Sequence, residues 1–185
     1  GALGQLPAPA SRPLPLRVLW LTPMRALAAD TTRALTLPLA EVAPAVTVGQ
    51  RTGDSTSAER ARQERRLPGA LVTTPESLSL MLTREDAVQR LGGVEVVIVD
   101  EWHELVASKR GVQVQLALAR LRRWNPRLVV WGLSATLGNL EEAMQVLAGP
   151  AARLVRARLP KDLRIDTLAP PEPGRFSWGG HLGAQ

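Results

Sequence analysis

The length, composition and charge of the chain describe one folded domain with a basic surface. Of its 185 residues, 45% are hydrophobic and 22% are charged, which excludes a disordered chain and allows a sizeable core. The chain has no Cys, which excludes a disulfide framework and a thiolate metal site. The formal net charge of +6 and the sequence pI of about 11.2 favour a polyanionic partner.

Arginine supplies almost all of the positive charge, and the only two lysines are Lys109 and Lys161. Arg suits bidentate contacts to phosphate, but a GC-rich coding sequence gives the same bias, so both explanations stay open. The apolar runs are strand-sized, and the first residues lack the charged start and apolar core of a signal peptide. We therefore expect a cytoplasmic protein without a membrane contact.

Both ends of the chain are predicted to lie outside the folded domain. Residues 1–16 contain four Pro and two Gly without periodicity, which is typical of a tether. Residues 160–185 contain four more Pro and no apolar pattern, and we interpret them as a linker. The folded part is then expected at residues 17–159.

Short apolar runs alternate with helical stretches between these ends. Strands are predicted at residues 17–21, 46–48, 70–73, 96–99 and 128–133, with a last candidate at 153–155. Helices are predicted at residues 24–39, 57–67, 76–82, 112–123 and 140–147. Strands that alternate with helices indicate a three-layer α/β fold, with a mostly parallel sheet and helices on both faces.

Several residues in this series are expected to start or end helices. Pro38 and Pro44 should close the first helix, and Ser55 or Ser57 can cap the second. Asn139 should cap the last helix. The inward-facing residues expected of the first, third and fourth helices are Leu27, Thr31, Ala34, Leu35, Leu78, Met81, Leu82, Val114, Ala117, Leu118 and Leu121.

The run Val-Glu-Val-Val-Ile-Val-Asp-Glu-Trp-His-Glu at residues 94–104 is the centre of the chain. Residues 96–99 are apolar and β-branched, which is typical of a strand buried on both faces of a parallel sheet. Ligands of such sheets bind beyond the carboxyl ends of the strands. Asp100 and Glu101 are therefore expected where phosphate and magnesium chemistry can occur, although many strands end on a solvated acid.

Polar signatures follow four of the predicted strands. They are Thr-Pro-Met-Arg at 22–25, Thr-Pro-Glu-Ser at 74–77, Asp-Glu-Trp-His at 100–103 and Ser-Ala-Thr at 134–136. In a parallel sheet all four lie at one edge, where helix N-termini favour phosphate groups. A single Thr-Pro pair usually only ends a strand and caps a helix. Four signatures in this order favour a site that handles phosphates.

These motifs resemble the DExH-box helicases of superfamily 2, specifically the large-helicase-related (Lhr) branch and its bacterial ligase-associated DNA helicases. LTPMRALAAD is similar to motif Ia, RTGD to the nucleic-acid contact that follows it, and TTPESL to motif Ib. DEWH resembles the Walker B box and GLSAT resembles motif III. The resemblance covers residues 16–185 and implies an incomplete RecA-like (P-loop NTPase) first motor domain, with ATP and magnesium as cofactors.

The resemblance implies a role for each residue of the acid box. Asp100 would hold magnesium through water, and Glu101 would orient and deprotonate the water that attacks ATP. His103 would sense the nucleotide state and couple it to the second motor domain. Ser134 and Thr136 would link the acid box to movement of the nucleic acid. A zinc site is a poor alternative reading of the same acids, because no second His or Cys lies nearby.

The same resemblance implies contacts to the sugar-phosphate backbone of one nucleic-acid strand. Such contacts position without reading bases, so binding is expected to be sensitive to salt and tolerant of sequence. The residues concerned are Thr22, Arg25, Arg51, Thr52, Gly53 and Thr74. Four arginines of the second helix either extend this basic surface or form a salt-bridged surface helix: Arg60, Arg62, Arg65 and Arg66.

The chain lacks the phosphate-binding loop that such a motor needs. No G-x-x-x-x-G-K-[ST] sequence occurs, and neither lysine follows a Gly-rich run. The resemblance implies that this loop precedes Gly1 in a longer helicase, and that the second RecA-like domain follows. The isolated chain would then hydrolyse no ATP.

Two hypotheses follow from the sequence. The chain is part of an ATP-driven helicase, which the resemblance places in DNA repair beside a DNA ligase or nuclease, with 3′-to-5′ movement on single-stranded DNA and unwinding of DNA or RNA–DNA duplexes. Alternatively, it is a non-catalytic module that binds nucleic acid or a protein partner.

Overall fold

Five strands form a single sheet in which all neighbouring strands run parallel. The computed structural model describes residues 14–135 and 138–156, and Thr136 and most of the two predicted non-globular ends lie outside these ranges. The strands are β1 (Val18–Leu21), β2 (Val48–Arg51), β3 (Ala70–Thr73), β4 (Val96–Val99) and β5 (Val129–Gly132). Their order across the sheet is β2-β3-β1-β4-β5, so the predicted parallel sheet is confirmed.

Helices connect the strands throughout the described residues. They are α1 (Arg25–Val42), α2 (Ser57–Arg65), α3 (Pro75–Leu82), α4 (Ala87–Leu91), α5 (Trp102–Leu105), α6 (Lys109–Trp124) and α7 (Leu140–Ala148). Across the sheet, the chain moves from β1 to β2 toward one edge, and from β3 through β4 to β5 toward the other edge. Because parallel crossovers are right-handed, α1 lies on one face of the sheet and α3 and α6 lie on the other. None of these helices is long and apolar enough to cross a membrane.

The face under α3 and α6 carries the hydrophobic core. Leu19 of β1 is in register with Leu71 and Val97 on the neighbouring strands, and all three are completely buried. The inward-facing residues predicted for α3 and α6 are all buried against this face, which confirms the helical periodicity of both. Leu16 is also buried there, so the last residue of the predicted tether packs against the core.

Among the described residues, α1 lies against β2 and β3 on the opposite face. On β1, β4 and β5 this face carries Trp20, Ile98 and Trp131, which are in register with one another. Trp131 is 58% exposed, and β5 has no further strand beside it among the described residues. We call this surface the open face. Its exposure rises toward the edge of the sheet, since Ile98 on β4 is 8% exposed and Trp131 on β5 is 58% exposed.

The first helix departs from its prediction in two ways. Pro38 does not end α1, which continues to Val42, because its exposed position lets water satisfy the carbonyl that loses its N–H partner. The predicted inward stripe was wrong at Ala34, which is exposed, whereas its other three residues are half-buried and the neighbouring Ala28 is buried. The helical periodicity of α1 therefore indicated the less exposed face of the helix, but not its buried residue.

Several other boundaries also differ from the predictions. The second strand lies at Val48–Arg51 rather than 46–48, because pairing with the buried β3 outweighs its polar side chains. Thr56, and not Ser55 or Ser57, caps α2, because its hydroxyl accepts from the Glu59 amide while Glu59 accepts from the Thr56 amide. Asn139 caps α7 as predicted.

Two helices were missed and one strand was predicted wrongly. The short helices α4 and α5 lack an apolar stripe long enough to be recognised from the sequence. Residues 153–155 form no strand. The chain divides into two units at this point, 1–153 and 154–185, and the first holds all the strands and helices named here.

Gly111 is the position in the fold with the least room for a side chain. A Cβ added there would lie 2.2 Å from the carbonyl oxygen of Leu105, whereas one added at exposed Gly93 would meet nothing closer than 3.8 Å. We expect Gly111→Ala to destabilise the chain by about 1–3 kcal/mol, because α6 must move away from α5. Thermal unfolding of both variants tests this, and equal melting temperatures for Gly111→Ala and Gly93→Ala would contradict it.

Candidate functional site

The carboxyl ends of the parallel strands bring the sequence signatures to one edge. Leu21, Thr73 and Val99 lie level with one another in the register, and Gly132 is level with Val99. The residues that follow them therefore start from the same edge of the sheet. The predicted common edge is confirmed for the signatures at 22, 74, 100 and 134.

Asp100 is held in place from two sides. Its own backbone amide donates to the carbonyl of Leu21 at 2.8 Å, which continues the ladder between β4 and β1. The indole Nε1–H of Trp20 donates to Asp100 Oδ2 at 3.2 Å, and the amide of Glu101 donates to Oδ1 at 3.0 Å. The carboxylate is half-buried and has one N–H donor on each oxygen.

Glu101 has a backbone conformation that L-residues rarely adopt. Its φ of 48° and ψ of 45° lie in the left-handed region, and it is the one non-Gly residue in the described ranges with a positive φ. Such a conformation costs about 1–3 kcal/mol and persists only where the surroundings impose it. It turns the chain from β4 directly into α5, and it leaves the Glu101 side chain 41% exposed at the edge.

His103 joins the acid box to the segment after β5. Its Nδ1 lies 3.3 Å from the hydroxyl of Ser134 and 3.3 Å from the carboxylate of Glu101. The amide of Ala135 points to the same nitrogen at 3.4 Å, and Nε2 lies 3.4 Å from a carboxylate oxygen of Glu104. His103 therefore contacts two of the predicted site residues at once, while Thr136 lies outside the described residues.

Trp102 fixes the acid box to the core of the domain. It is 2% exposed, its backbone amide donates to the carbonyl of Leu133, and its indole donates to the carbonyl of Ala143 in α7 at 2.9 Å. The box is thereby fixed both to the end of β5 and to the helix that follows. Trp102 packs in the core, whereas Trp131 is exposed on the open face.

The residues predicted to contact nucleic acid form a second group along the edge. Arg25 Nη1 lies 2.6 Å from Asp54 Oδ1, and its guanidinium packs against Gly53. Arg51 instead pairs with Glu64 of α2 at 3.1 Å, and its side chain is only 16% exposed. The structure thus brings Arg25 to the RTGD loop and leaves its guanidinium accessible, while Arg51 is largely occupied within the fold.

The three predicted threonines are buried and stabilise the turns at the edge. Thr22 Oγ1 donates to the carbonyl of Met24 at 3.1 Å, and the Thr74 hydroxyl accepts from the Ser77 amide as the cap of α3. Thr52 is 2% exposed, and its amide donates to the Ser55 hydroxyl at 2.9 Å. Their side chains shape the loops, so any contact with a ligand would come chiefly from backbone groups.

Residues 5–143 match the DEAD/DEAH box helicase family. The chain belongs to this family. It is 38% identical over 162 residues to an ATP-dependent helicase Lhr-Core of Saccharolobus solfataricus, covering 82% of this chain and 18% of that protein. It is 40% identical over 163 residues to an Lhr helicase/probable uracil glycosylase of Mycolicibacterium smegmatis, covering 81% of this chain and 11% of that protein.

A solved structure agrees with this assignment. The helicase Lhr of Mycobacterium smegmatis, bound to single-stranded DNA and AMP-PNP, superposes with a TM-score of 0.68 at 39% identity. The match covers 76% of this chain and 19% of that one. The chain therefore spans less than a fifth of the length of these relatives, and it has the α/β fold of a RecA-like helicase domain.

A basic cavity of about 180 Å³, which the sequence did not predict, is lined by the RTGD loop and by residues of α2 and α3. Arg60 donates to the carbonyls of Thr52 and Gly53 at 3.3 and 2.9 Å, so it holds the RTGD loop and is more than a surface charge. Arg84, which the sequence gave no reason to select, also lines this cavity and pairs with Glu64 and Asp86. Only the fold brings it to the loop.

The TTPESL motif of the helicase domain is tied to α6 through an ion pair. Arg110 donates to both carboxylate oxygens of Glu76. Burial by itself raises the pKa of Glu76, but the hydrogen bonds from Arg110, Thr74 and its own amide, with the charge of Arg110, together outweigh burial and hold the pKa below its usual value. Glu76 is therefore charged at neutral pH and links α3 to α6 directly behind the candidate nucleic-acid residues.

The acids of the helicase box suit magnesium better than zinc. No group of three potential His, Cys, Asp or Glu ligands occurs among the described residues, which disfavours a protein-enclosed zinc site at Asp100, His103 and Glu104. Magnesium that is bound mainly by phosphate and water needs only one or two carboxylates. Asp100 fits this requirement because each oxygen has a single N–H donor and its side chain is half-buried.

Proposed function

We propose that this chain is the acid-box part of an ATP-dependent helicase that moves 3′-to-5′ along single-stranded DNA. The observation that carries the proposal is the cluster of Asp100, Glu101 and His103 at the carboxyl edge, in contact with Ser134. The names of the Lhr relatives and the ligands of the solved Lhr structure support it. Its output would be unwinding of DNA or RNA–DNA duplexes in DNA repair.

Asp100 and Glu101 divide the chemistry of hydrolysis between them. Asp100 would hold magnesium through water, and the ion would neutralise charge on the phosphate oxygens. Glu101, whose side chain is 41% exposed against 24% for His103, orients the attacking water and accepts its proton. The left-handed backbone at Glu101 supports this assignment, since strained conformations are concentrated at functional sites.

His103 and the segment after β5 would couple hydrolysis to movement. The contacts from His103 to the Ser134 hydroxyl and the Ala135 amide link the two motifs directly. A shift of the acid box on loss of the terminal phosphate would therefore be transmitted to residues 134–136. Thr136 is proposed to take part by the same reasoning from its motif.

The nucleic-acid track would follow the loops at the same edge. Arg25 is proposed as its main charged contact because its side chain is 62% exposed beside the RTGD loop. Backbone amides near Thr22, Thr52, Gly53 and Thr74 would add contacts that are independent of sequence. Arg51 is proposed to act mainly by holding the loop, since its partner is Glu64.

The remaining parts of the motor would come from the rest of the parent protein. The sequence contains no phosphate-binding loop with its Lys, and β5 offers exposed apolar side chains and an edge that no other described strand pairs with. We propose that this loop and a second RecA-like domain belong to the same longer chain. A DNA ligase or nuclease of a repair pathway is proposed as a partner, and the bacterial cytoplasm as the location.

Replacing Glu101 in the full-length protein tests the catalytic assignment. We expect Glu101→Gln to lower the kcat of DNA-stimulated ATP hydrolysis at least about 100-fold, because the water loses its general base, while ATP binding stays largely intact. Glu95→Gln is the matched control, since Glu95 lies at the other end of β4 in an exposed ion pair with Arg17. Unchanged turnover in Glu101→Gln would reject the role.

The 185-residue chain by itself is expected to show no significant ATP hydrolysis with single-stranded DNA, because no Lys or Gly-rich loop is present to hold the phosphates. A phosphate-release assay beside the full-length protein tests this. Turnover that the Glu101→Gln substitution removes from the isolated chain would contradict the expectation, and turnover that survives the substitution would indicate a contaminant.

Binding of single-stranded DNA by the isolated chain tests the proposed track. If two or three phosphates are neutralised, the affinity should fall about tenfold between about 50 mM and about 200 mM salt. Arg25→Ala should weaken binding at low salt, and Arg33→Ala is the control because Arg33 is another exposed, ion-paired residue of α1. No binding at low salt, or equal effects of the two substitutions, would count against the track.

A further inference from the structure

Trp20 and Asp100 meet on the open face of the sheet. Trp20 is in register with Ile98 on the neighbouring strand, and Asp100 lies two residues beyond Ile98. Side chains two residues apart in a strand point to the same face, so the indole and the carboxylate share one side. The distance from Trp20 Nε1 to Asp100 Oδ2 is 3.2 Å.

The contact orients the carboxylate without using up its capacity as a ligand. Each oxygen of an ionised carboxylate can accept about two hydrogen bonds. Trp20 occupies one acceptor site on Oδ2, and the amide of Glu101 occupies one on Oδ1. One site on each oxygen stays available for a water molecule of a hydrated magnesium ion.

We propose that Trp20 is a positioning residue for magnesium at Asp100. Its indole N–H fixes the plane of the Asp100 carboxylate before the ion arrives and leaves one acceptor site on each oxygen available. Partners of this kind change metal affinity by about 10- to 100-fold when they are lost. The inference rests on the proposed role of Asp100, and it assigns to Trp20 a function that packing alone would not require.

Two substitutions separate the hydrogen bond from the bulk of the ring. Trp20→Phe keeps an aromatic ring but removes the N–H donor. Trp20→His removes the fused benzene ring, but its Nε2 occupies the same place in the five-membered ring as the indole Nε1 and can donate. A role in hydrogen bonding makes Trp20→Phe the more damaging change, and a role in packing makes Trp20→His the more damaging one. Trp131→Phe is the control because Trp131 lies on the same face, 58% exposed.

The experiment uses the full-length protein and buffered concentrations of free magnesium. Binding of the fluorescent nucleotide mant-ADP and DNA-stimulated ATP hydrolysis are both measured as functions of magnesium. In Trp20→Phe we expect the magnesium concentration for half-maximal binding and for half-maximal turnover to rise about tenfold, with kcat restored at saturating magnesium. Trp20→His and Trp131→Phe should stay within about twofold of the unmodified protein.

The outcomes distinguish this inference from the proposed function. If the unmodified protein hydrolyses no ATP, the proposed function fails. If it is active and Trp20→Phe keeps the same magnesium dependence, Trp20 does not position Asp100. A tenfold rise in the magnesium concentration for half-maximal binding by Trp20→His also overturns the inference, because the N–H donor is then present without effect. Should Trp20→Phe not fold, Trp20→Met, which also lacks the N–H donor, takes its place, and a magnesium dependence equal to that of Trp20→His would overturn the inference.

Discussion

The parallel pairing of β1 with β4 is the constraint on which the candidate site depends. It places Leu21 level with Val99, and the amide of Asp100 continues the ladder by donating to the carbonyl of Leu21. A shift of one residue in this register would turn Asp100 toward the buried core face. The same pairing brings Trp20 beside the carboxylate. The position of the acid box therefore follows from hydrogen bonds between backbone groups, and the side chains refine it.

The acid box is also fixed by what lies beneath and beside it. Trp102 joins it to α7, and His103 joins it to the segment after β5. These two side chains are adjacent in sequence but point into different environments, one buried and one at the edge. The proposed coupling between hydrolysis and movement would thus run through a short helix that the core holds firmly on one side and leaves accessible on the other.

The sequence predicted those features that depend on apolar patterns. The strand at Ala70–Thr73 and the inward faces of α3 and α6 were recognisable because every buried position in them is apolar or small. The strand at Val48–Arg51 was misplaced because Gln50 and Arg51 are polar, and its pairing partner lies far away in the sequence. The polar signatures at the carboxyl edge of the sheet could be recognised from their motifs. Contacts between residues that are apart in the sequence, such as Arg60 with Gly53, could be seen only in the folded structure.

The hydrogen bonds from Arg60 to the RTGD loop have a consequence for how a ligand would be received. Arg60 occupies the carbonyls of Thr52 and Gly53, and the Ser55 hydroxyl accepts from the Thr52 amide. A loop that is ordered in this way has already lost its conformational entropy during folding. Binding of the proposed nucleic-acid strand would therefore not have to offset the free-energy cost of ordering the loop. Charge close to the loop then serves a second purpose, because the guanidinium that stiffens the backbone also adds to the positive potential over it.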